Sequence, residues 1–302
     1  MKHMKPLRFF YKYILVFPAI AWIVMAGHVK AQGVLQVATK TIEKTIGSPT
    51  VRTLYITAEK ADIEMTTWNK SEITVVLELS ARHPDKNTAA ADLSKVQYIA
   101  DRNGKDYFLR NYIVLKDGEN KPVSNVKARY VIHLPASCAV DLKNSFGTIT
   151  LKGLTNTLQL KADFCTTNLV DLRGKGQVNT SFGELKGTDV AGVFTFTSDH
   201  TRLRLNQVAG EIKLDADYGN VEIYPTTGLT SLGIRSRKAE ITLLTKNWQI
   251  FDYTIQSAYA TMKLPNGFKW TRNTADFKDA FFNRNQLANV DINAEFGNVT
   301  IR

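Results

Sequence analysis

The feature that most limits what this chain can fold into is a repeat. "NSFGTITL" begins at Asn144, "TSFGELKG" at Thr180, "ADYGNVEI" at Ala216 and "AEFGNVTI" at Ala294. Steps of 18 residues from Phe146 land on Phe164, Phe182, His200 and Tyr218. The next column holds Gly147, Cys165, Gly183, Thr201 and Gly219. An apolar column precedes the motif (Leu142, Leu160, Val178, Phe196, Leu214) and another follows it (Ile149, Thr167, Leu185, Leu203, Val221). A period sustained in so many columns marks a repeat architecture, in which each unit buries its apolar side only against its neighbours.

Each unit reads as two short strands. Apolar residues alternate through Val140 and Leu142, and after Gly147 the alternation resumes one step out of phase at Ile149 and Leu151. Side chains point inward at every second residue of a strand, so the slip needs a corner. Glycine permits the positive φ of a tight corner, which predicts "SFG" as that corner with the aromatic ring tucked inside. Extended chain covers about 3.3 Å per residue, so one unit traces a loop of roughly 60 Å. That suits one coil of a single-stranded β-helix, with neighbouring coils about 4.8 Å apart. Propeller blades need about 40 residues, and helical repeats carry a 3.6-residue pattern that is absent. The expected fold is therefore all-β: a β-helix or β-solenoid with coils of about 18 residues and an N-terminal β capping region. A right-handed coil is preferred, as for crossover connections in general.

The chain divides accordingly. Residues 1–31 combine a basic start (Lys2, Lys5, Arg8, Lys12), the apolar run "YILVFPAIAWIVMAG" and small residues at Val29 and Ala31, the pattern of a cleavable signal peptide. The run is short for a membrane span of about 20 residues, so no transmembrane segment is expected after cleavage. Residues 32–135 hold a first coil, in which Ile63 and Met65 take the places of Ile149 and Leu151, and a β-hairpin capping region. There "DYFLRNYIVL" and "VKARYVIHLP" flank the turn-rich "KDGENKPVSN" as candidate hairpin partners. Residues 136–302 form the repeat array, with a two-residue insertion before "IRSRKAEITLL" and an excursion at 265–288. After it, "NVDINAEFGNVTI" ends the chain in frame.

These residues carry a resemblance. "KADIEMTTWNKSEITVVLE", a strand ending in "IHLP" and the recurrent "SFGTITL" and "YGNVEI" units resemble the DUF4097 group, exported bacterial β-solenoid proteins with an adhesin-like head. The resemblance covers about residues 50–302 and implies a binding role in the cell envelope. It brings no catalytic signature. Cys165 and Thr201 depart from it by occupying the corner-glycine column.

The residues themselves point the same way. His200, beside Asp199, Arg202 and Arg204, is a candidate base, but the period places it in the aromatic column, where a planar ring stacks. Ser145, Asp163, Ser181, Asp199 and Asp217 form an outward column that offers one carboxylate per coil at most, better suited to satisfying corner amides than to holding calcium. A polysaccharide lyase or hydrolase needs converging acid and base groups. The nearest set, Asp215, Asp217 and Glu222 with Arg202 and Arg204, follows strand alternation instead. No catalytic residue, cofactor site or metal site is therefore assigned. Cys138 and Cys165 are 27 residues apart, not a multiple of the repeat, so they do not stack directly; a disulfide between them stays open.

Removing the five basic residues of the leader takes the formal net charge from +11 to +6, spread without a Lys/Arg run. Nucleic acid is not an expected partner. The expected partner is an unknown protein or glycan of the cell envelope or surface, met in the periplasm, at the outer surface or outside the cell. The candidate contact surface is the aromatic set of the excursion, Phe268, Trp270, Phe277, Phe281 and Phe282. Its alternative fate is to fold down as an end cap. The expected function is a non-catalytic binding or structural module of the envelope; a periplasmic part in envelope-stress sensing is the alternative.

Overall fold

Strands before and after each corner lie in parallel register with the same strands of the next unit, so the chain stacks upon itself in rungs. In this computed structural model residues 34–47, 51–286 and 288–302 are described; the leader at 1–31 lies outside them. The unit from Leu35 to Arg302 is all-β, with one short helix and a solenoid-like arrangement.

The regular part comprises β8 (Ala139–Lys152), β9 (Thr157–Leu172), β10 (Lys175–Ser181) and β11 (Glu184–Leu243), the last a continuous trace through several rungs. Val140 pairs with Leu158 and Gly147 with Cys165, Lys175 with both Thr157 and Val193, and Glu184 with Thr166, each 18 residues apart. Parallel register of this kind turns each column of the sequence into a line of stacked side chains. The column of Leu142, Leu160, Val178, Phe196, Leu214 and Ile234 is buried throughout. Fully burying one such side chain stabilises by about 1.5–3 kcal/mol, and each is covered on two sides by its own homologues. Volume is balanced between rungs. Gly176 lies under Phe194, whose Cε1 would be 2.8 Å from an added Cβ. Gly187 lies under Leu205, whose Cδ2 would be 2.6 Å away.

The N-terminal region joins this stack by two routes. β2 (Thr53–Glu59) and β3 (Ala61–Trp68) pair in parallel with β8, Ile63 opposite Ile149 and Met65 opposite Leu151. Beyond them β6 (Asp106–Ile113) continues from β2, and β7 (Asn125–Pro135) from β3. β6 and β7 are thus not hairpin partners, contrary to the sequence expectation. β6 pairs with β5 (Val96–Asn103) across the tight Asn103-Gly104 turn, and β7 pairs antiparallel with β4 (Glu72–His83), which pairs with β1 (Gln36–Gly47). "KDGENKPVSN" crosses from one face to the other instead of reversing a ribbon. The helix α1 (Lys86–Ser94), also unforeseen, starts where the Asp85 side chain accepts from the Thr88 amide at 2.7 Å, an N-cap.

The C-terminal end departs from sequence order. β16 (Asn289–Glu295) and β17 (Val299–Ile301) pair with Ser231–Arg237 and Ile241–Leu243 of β11 on one side. On the other side they meet β12 (Asp252–Ala258) and β13 (Met262–Lys263). The last rung in sequence is therefore interior in space, and the preceding one lies outside it. The register jumps by 58 and 37 residues here, which an 18-residue period does not anticipate. The excursion forms β14 (Lys269–Asn273) and β15 (Phe277–Phe282), an antiparallel ribbon whose second strand pairs with β12.

Candidate functional site

Two surfaces carry the candidate residues: the line of corners and the C-terminal ribbon. At each corner the aromatic residue itself takes the left-handed conformation, with φ of 66° at Phe146, 55° at Phe164, 53° at Phe182, 47° at His200 and 52° at Tyr218. Turning the backbone there throws the ring outward. Phe146, Phe164 and Phe182 are about half exposed, so the ring is not tucked inside the corner as the strand alternation suggested. What points inward is the next residue.

The rings stack on one another outside the sheet. Centroids are 5.0 Å apart for Phe146–Phe164 and Phe164–Phe182, 4.9 Å for Phe182–His200 and 4.4 Å for His200–Tyr218, with planes within 19°. Lys238 continues the line two residues late, its Nζ 5.1 Å from the Tyr218 ring. Tyr259 and Phe296 stack at 5.1 Å at the far end. A left-handed non-glycine residue costs about 1–2 kcal/mol, and each stacked pair returns about 0.5–1.5 kcal/mol. An interior ring with two partners therefore roughly offsets its own strain. Because neighbours cover both faces of each interior ring, the ladder presents ring edges, apolar along Phe146, Phe164 and Phe182 and polar from His200 onward.

His200 belongs to this ladder, and its Nδ1 lies 2.7 Å from Asp199 Oδ1. Of the carboxylates weighed as a catalytic set, Asp215 and Asp217 lie side by side on one strand face and line one pocket, while Glu222 lies beyond the corner. Asp217 pairs with Arg237 at 2.9 Å and Glu222 with Arg204 at 3.6 Å on the opposite side of the corner. In the outward corner column, Asp163 faces Lys161 at 3.8 Å. Cys138 and Cys165 are both free and buried, and burial pushes each thiol up to about 11.

The corner-glycine column follows a rule that the period alone concealed. In spatial order it reads Ala61, Gly147, Cys165, Gly183, Thr201, Gly219, Ala239, Gly297: a side chain on every second rung. A Cβ added at Gly147, Gly183, Gly219 or Gly297 would collide with the carbonyl oxygen of Ala61, Cys165, Thr201 or Ala239 respectively. Cys165 and Thr201 are thus regular members of an alternating column. Cys165 Sγ reaches the Asn144 side chain at 3.6 Å, and Thr201 Oγ1 donates to the Asp199 carbonyl at 2.9 Å.

The ribbon divides the five aromatics proposed from sequence. Phe282 is buried and Phe268 partly buried, packed with Trp248 and Tyr253 at centroid distances of 4.6–6.5 Å. Phe281 is half-buried. Trp270 and Phe277 face outward at 41% and 38% exposure, with Arg272 over the Phe277 ring at 4.8 Å. Phe282 and Ala280 close the end of the core; Trp270, opposite Ala280, and Phe277, on the other face beside Tyr259 at 5.6 Å, each stay partly in solvent. Among the described residues no helix is long and apolar enough to cross a membrane.

The model of the Toastrack DUF4097 family matches residues 51–302, which is the stacked part of the chain. Among solved structures, a "putative adhesin" from Bacteroides fragilis shares 10% identity at a TM-score of 0.48, covering 87% of this chain and 97% of its own. A "putative adhesin" from Parabacteroides merdae shares 9% at 0.35, covering 88% and 96%. A "putative cell adhesion protein" from Clostridium sporogenes shares 13% at 0.28, covering 87% and 99%. No curated protein matches the sequence.

Proposed function

The chain belongs to the Toastrack DUF4097 family, and on that premise we propose that it is an exported, non-catalytic binding or structural module of the bacterial cell envelope. The observation that carries this reading is the exposed ladder. An uninterrupted line of half-exposed rings at about 5 Å spacing is fixed to a stacked scaffold, and contiguous exposed apolar surface is the usual mark of an interaction site. The scaffold would act by display: right-handed coils of about 18 residues hold outward columns at constant spacing, so a partner meets a preorganised face and little ordering entropy is lost. Trp270 and Phe277 extend the proposed contact surface on the ribbon. The leader at residues 1–31 supports export, with residues 32–135 as the capping region and 136–302 as the array.

The test is accessibility to an impermeant protease on intact cells. Digestion of the protein on intact cells is the expected result for surface display. Protection until the outer membrane is opened would exclude an adhesin and place the module in the periplasm. Recovery only from the cytoplasm would overturn the proposal altogether.

A further inference from the structure

Where the last rung inserts beside Ser231–Arg237, the outer face of the sheet opens into a groove of about 550 Å³, within the range of small-molecule sites. Lys213, Asp215, Arg235, Asp291, Asn293 and Gln256 line it. They come from four separate stretches of sequence. Arg235 lies opposite Asn293, and Asn293 opposite Gln256. The floor is Gly233, which pairs with Asp291.

Gly233 has no structural need to be glycine. Its φ is not in the left-handed region, and a Cβ placed there meets nothing within 4 Å. Glycine inside a strand costs conformational entropy and forgoes a side chain to pack. The other glycines that block a collision earn their place by packing, whereas the effect of this one is to leave the groove unfilled.

The lining has a definite chemistry. Some charged residues elsewhere on the surface pair off: Arg237 with Asp217, Lys127 with Asp62, Arg272 with Asp279. In the groove Lys213 turns to Glu211. Among the described residues, the side chains of Asp215, Arg235, Asp291, Asn293 and Gln256 take no hydrogen-bond or ion partner. With Lys213 engaged by Glu211, Arg235 stands against Asp215 and Asp291; the two carboxylates disfavour a polyanion, and Arg235 on the rung between them disfavours a metal cation. Carboxylates accept, a guanidinium donates and amides do both. A sugar hydroxyl, at once donor and acceptor, matches that mixture.

We propose that this groove is a binding subsite for a neutral, hydroxyl-rich ligand: one or two rings of an uncharged glycan, held by hydrogen bonds to Arg235, Asp215, Asp291, Asn293 and Gln256. The proposal rests on the binding-module reading and gives it a location apart from the ladder and beside the ribbon, whose Asp279 lies opposite Gln256. No ring stacks on the ligand, so each subsite is weak, and affinity comes from a chain that runs along the face.

The test is saturation-transfer NMR of the purified protein with maltotriose, cellotriose and N,N′,N″-triacetylchitotriose, and with trigalacturonate as the acidic comparison. Transfer to at least one neutral trisaccharide is expected, with little to trigalacturonate. Gly233→Tyr fills the groove from an open, outward position, so the melting temperature should hold while binding weakens at least about tenfold. Arg235→Ala should weaken it by about threefold to tenfold. No transfer from any neutral trisaccharide, preference for trigalacturonate, or binding unchanged in a folded Gly233→Tyr protein would each overturn the assignment. A parallel pull-down of the native envelope fraction keeps the two ideas apart. Envelope binding retained in Gly233→Tyr removes the groove but leaves the module, and absence of envelope binding by the native protein removes the module.

Discussion

Replacing Gly183 by alanine should destabilise this protein far more than the same change at Gly233, although both glycines lie within the stacked array and neither has a left-handed φ. At Gly183 the new methyl would stand more than an ångström inside the 3.4 Å at which ordinary contact begins, against the carbonyl oxygen of Cys165. The obstacle is backbone, with the Cys165 carbonyl carbon and amide nitrogen each at 3.2 Å, so no rotamer relieves it. Relief requires the two rungs to part where Glu184 pairs with Thr166, against a spacing of about 4.8 Å that their hydrogen bonds set. Overpacking of this kind costs about 1–3 kcal/mol, and an immovable backbone partner puts Gly183→Ala near 3 kcal/mol. For a chain of this size that lowers the melting midpoint by roughly 6–12 °C. At Gly233 the methyl enters open space and removes a flexible strand residue, a gain of about 0.5–1 kcal/mol and an upward shift of about 1–4 °C. Scanning calorimetry of the two variants beside the native protein reads both. If the two midpoints fall within about 2 °C of each other, the explanation of the alternating column is wrong.

Three further outcomes follow from other parts of the molecule. Phe182→Ala loses stacking on Phe164 and His200 and should cost about 2 kcal/mol by denaturant unfolding; Phe182→Gly should cost about 1 kcal/mol less, because φ of 53° strains alanine and not glycine. Asp92 is buried at the end of α1, and although burial opposes its charge, hydrogen bonds from Ser124, Lys95 and Val123 hold its carboxyl below the ordinary 3.8. A lowered folded pKa contributes stability that is complete above the unfolded value and disappears as pH falls through the folded one. Asp92→Asn should therefore cost about 1–3 kcal/mol near neutral pH, and its gap from the native protein in thermal midpoint should close on acidification below 3.8. Cys138 and Cys165, buried and with thiols pushed up to about 11, should resist iodoacetamide at about pH 8 in the folded protein and alkylate fully once it is unfolded, as counted by mass spectrometry.

The array was legible because parallel stacking repeats one chemical requirement at one interval: Leu142, Leu160 and Val178 fill the same inner position. The corner was legible as a location but not as a geometry. Strand alternation predicts a break at "SFG", yet it does not say whether the glycine or the aromatic turns left-handed, and that choice decides whether the ring is core or surface. The alternating corner column escaped because its true period is two rungs, which makes Cys165 and Thr201 look like exceptions. The groove escaped for a different reason. Arg235, Asn293 and Gln256 are neighbours only through registers of 58 and 37 residues. The signal was nevertheless present, in the match of "RKAEITL" from Arg237 to "EFGNVTI" from Glu295. At the N-terminal end, the Asn103-Gly104 turn was the better hairpin signal, and the Asp85 cap marked the helix.

The interleaved C-terminal end bears on how the protein is made. A stacked array ordinarily can grow as it leaves the ribosome, each rung settling on the one before. Here Asp252–Ala258 has no parallel neighbour to settle on until Asn289–Glu295 has emerged. The last rung must then enter between two that were synthesised earlier. Shortening the chain from Asn289 onward would accordingly not trim a tail. It would withdraw an interior course from the stack and leave the ribbon, with Trp270 and Phe277 upon it, attached to a rung that has lost its support.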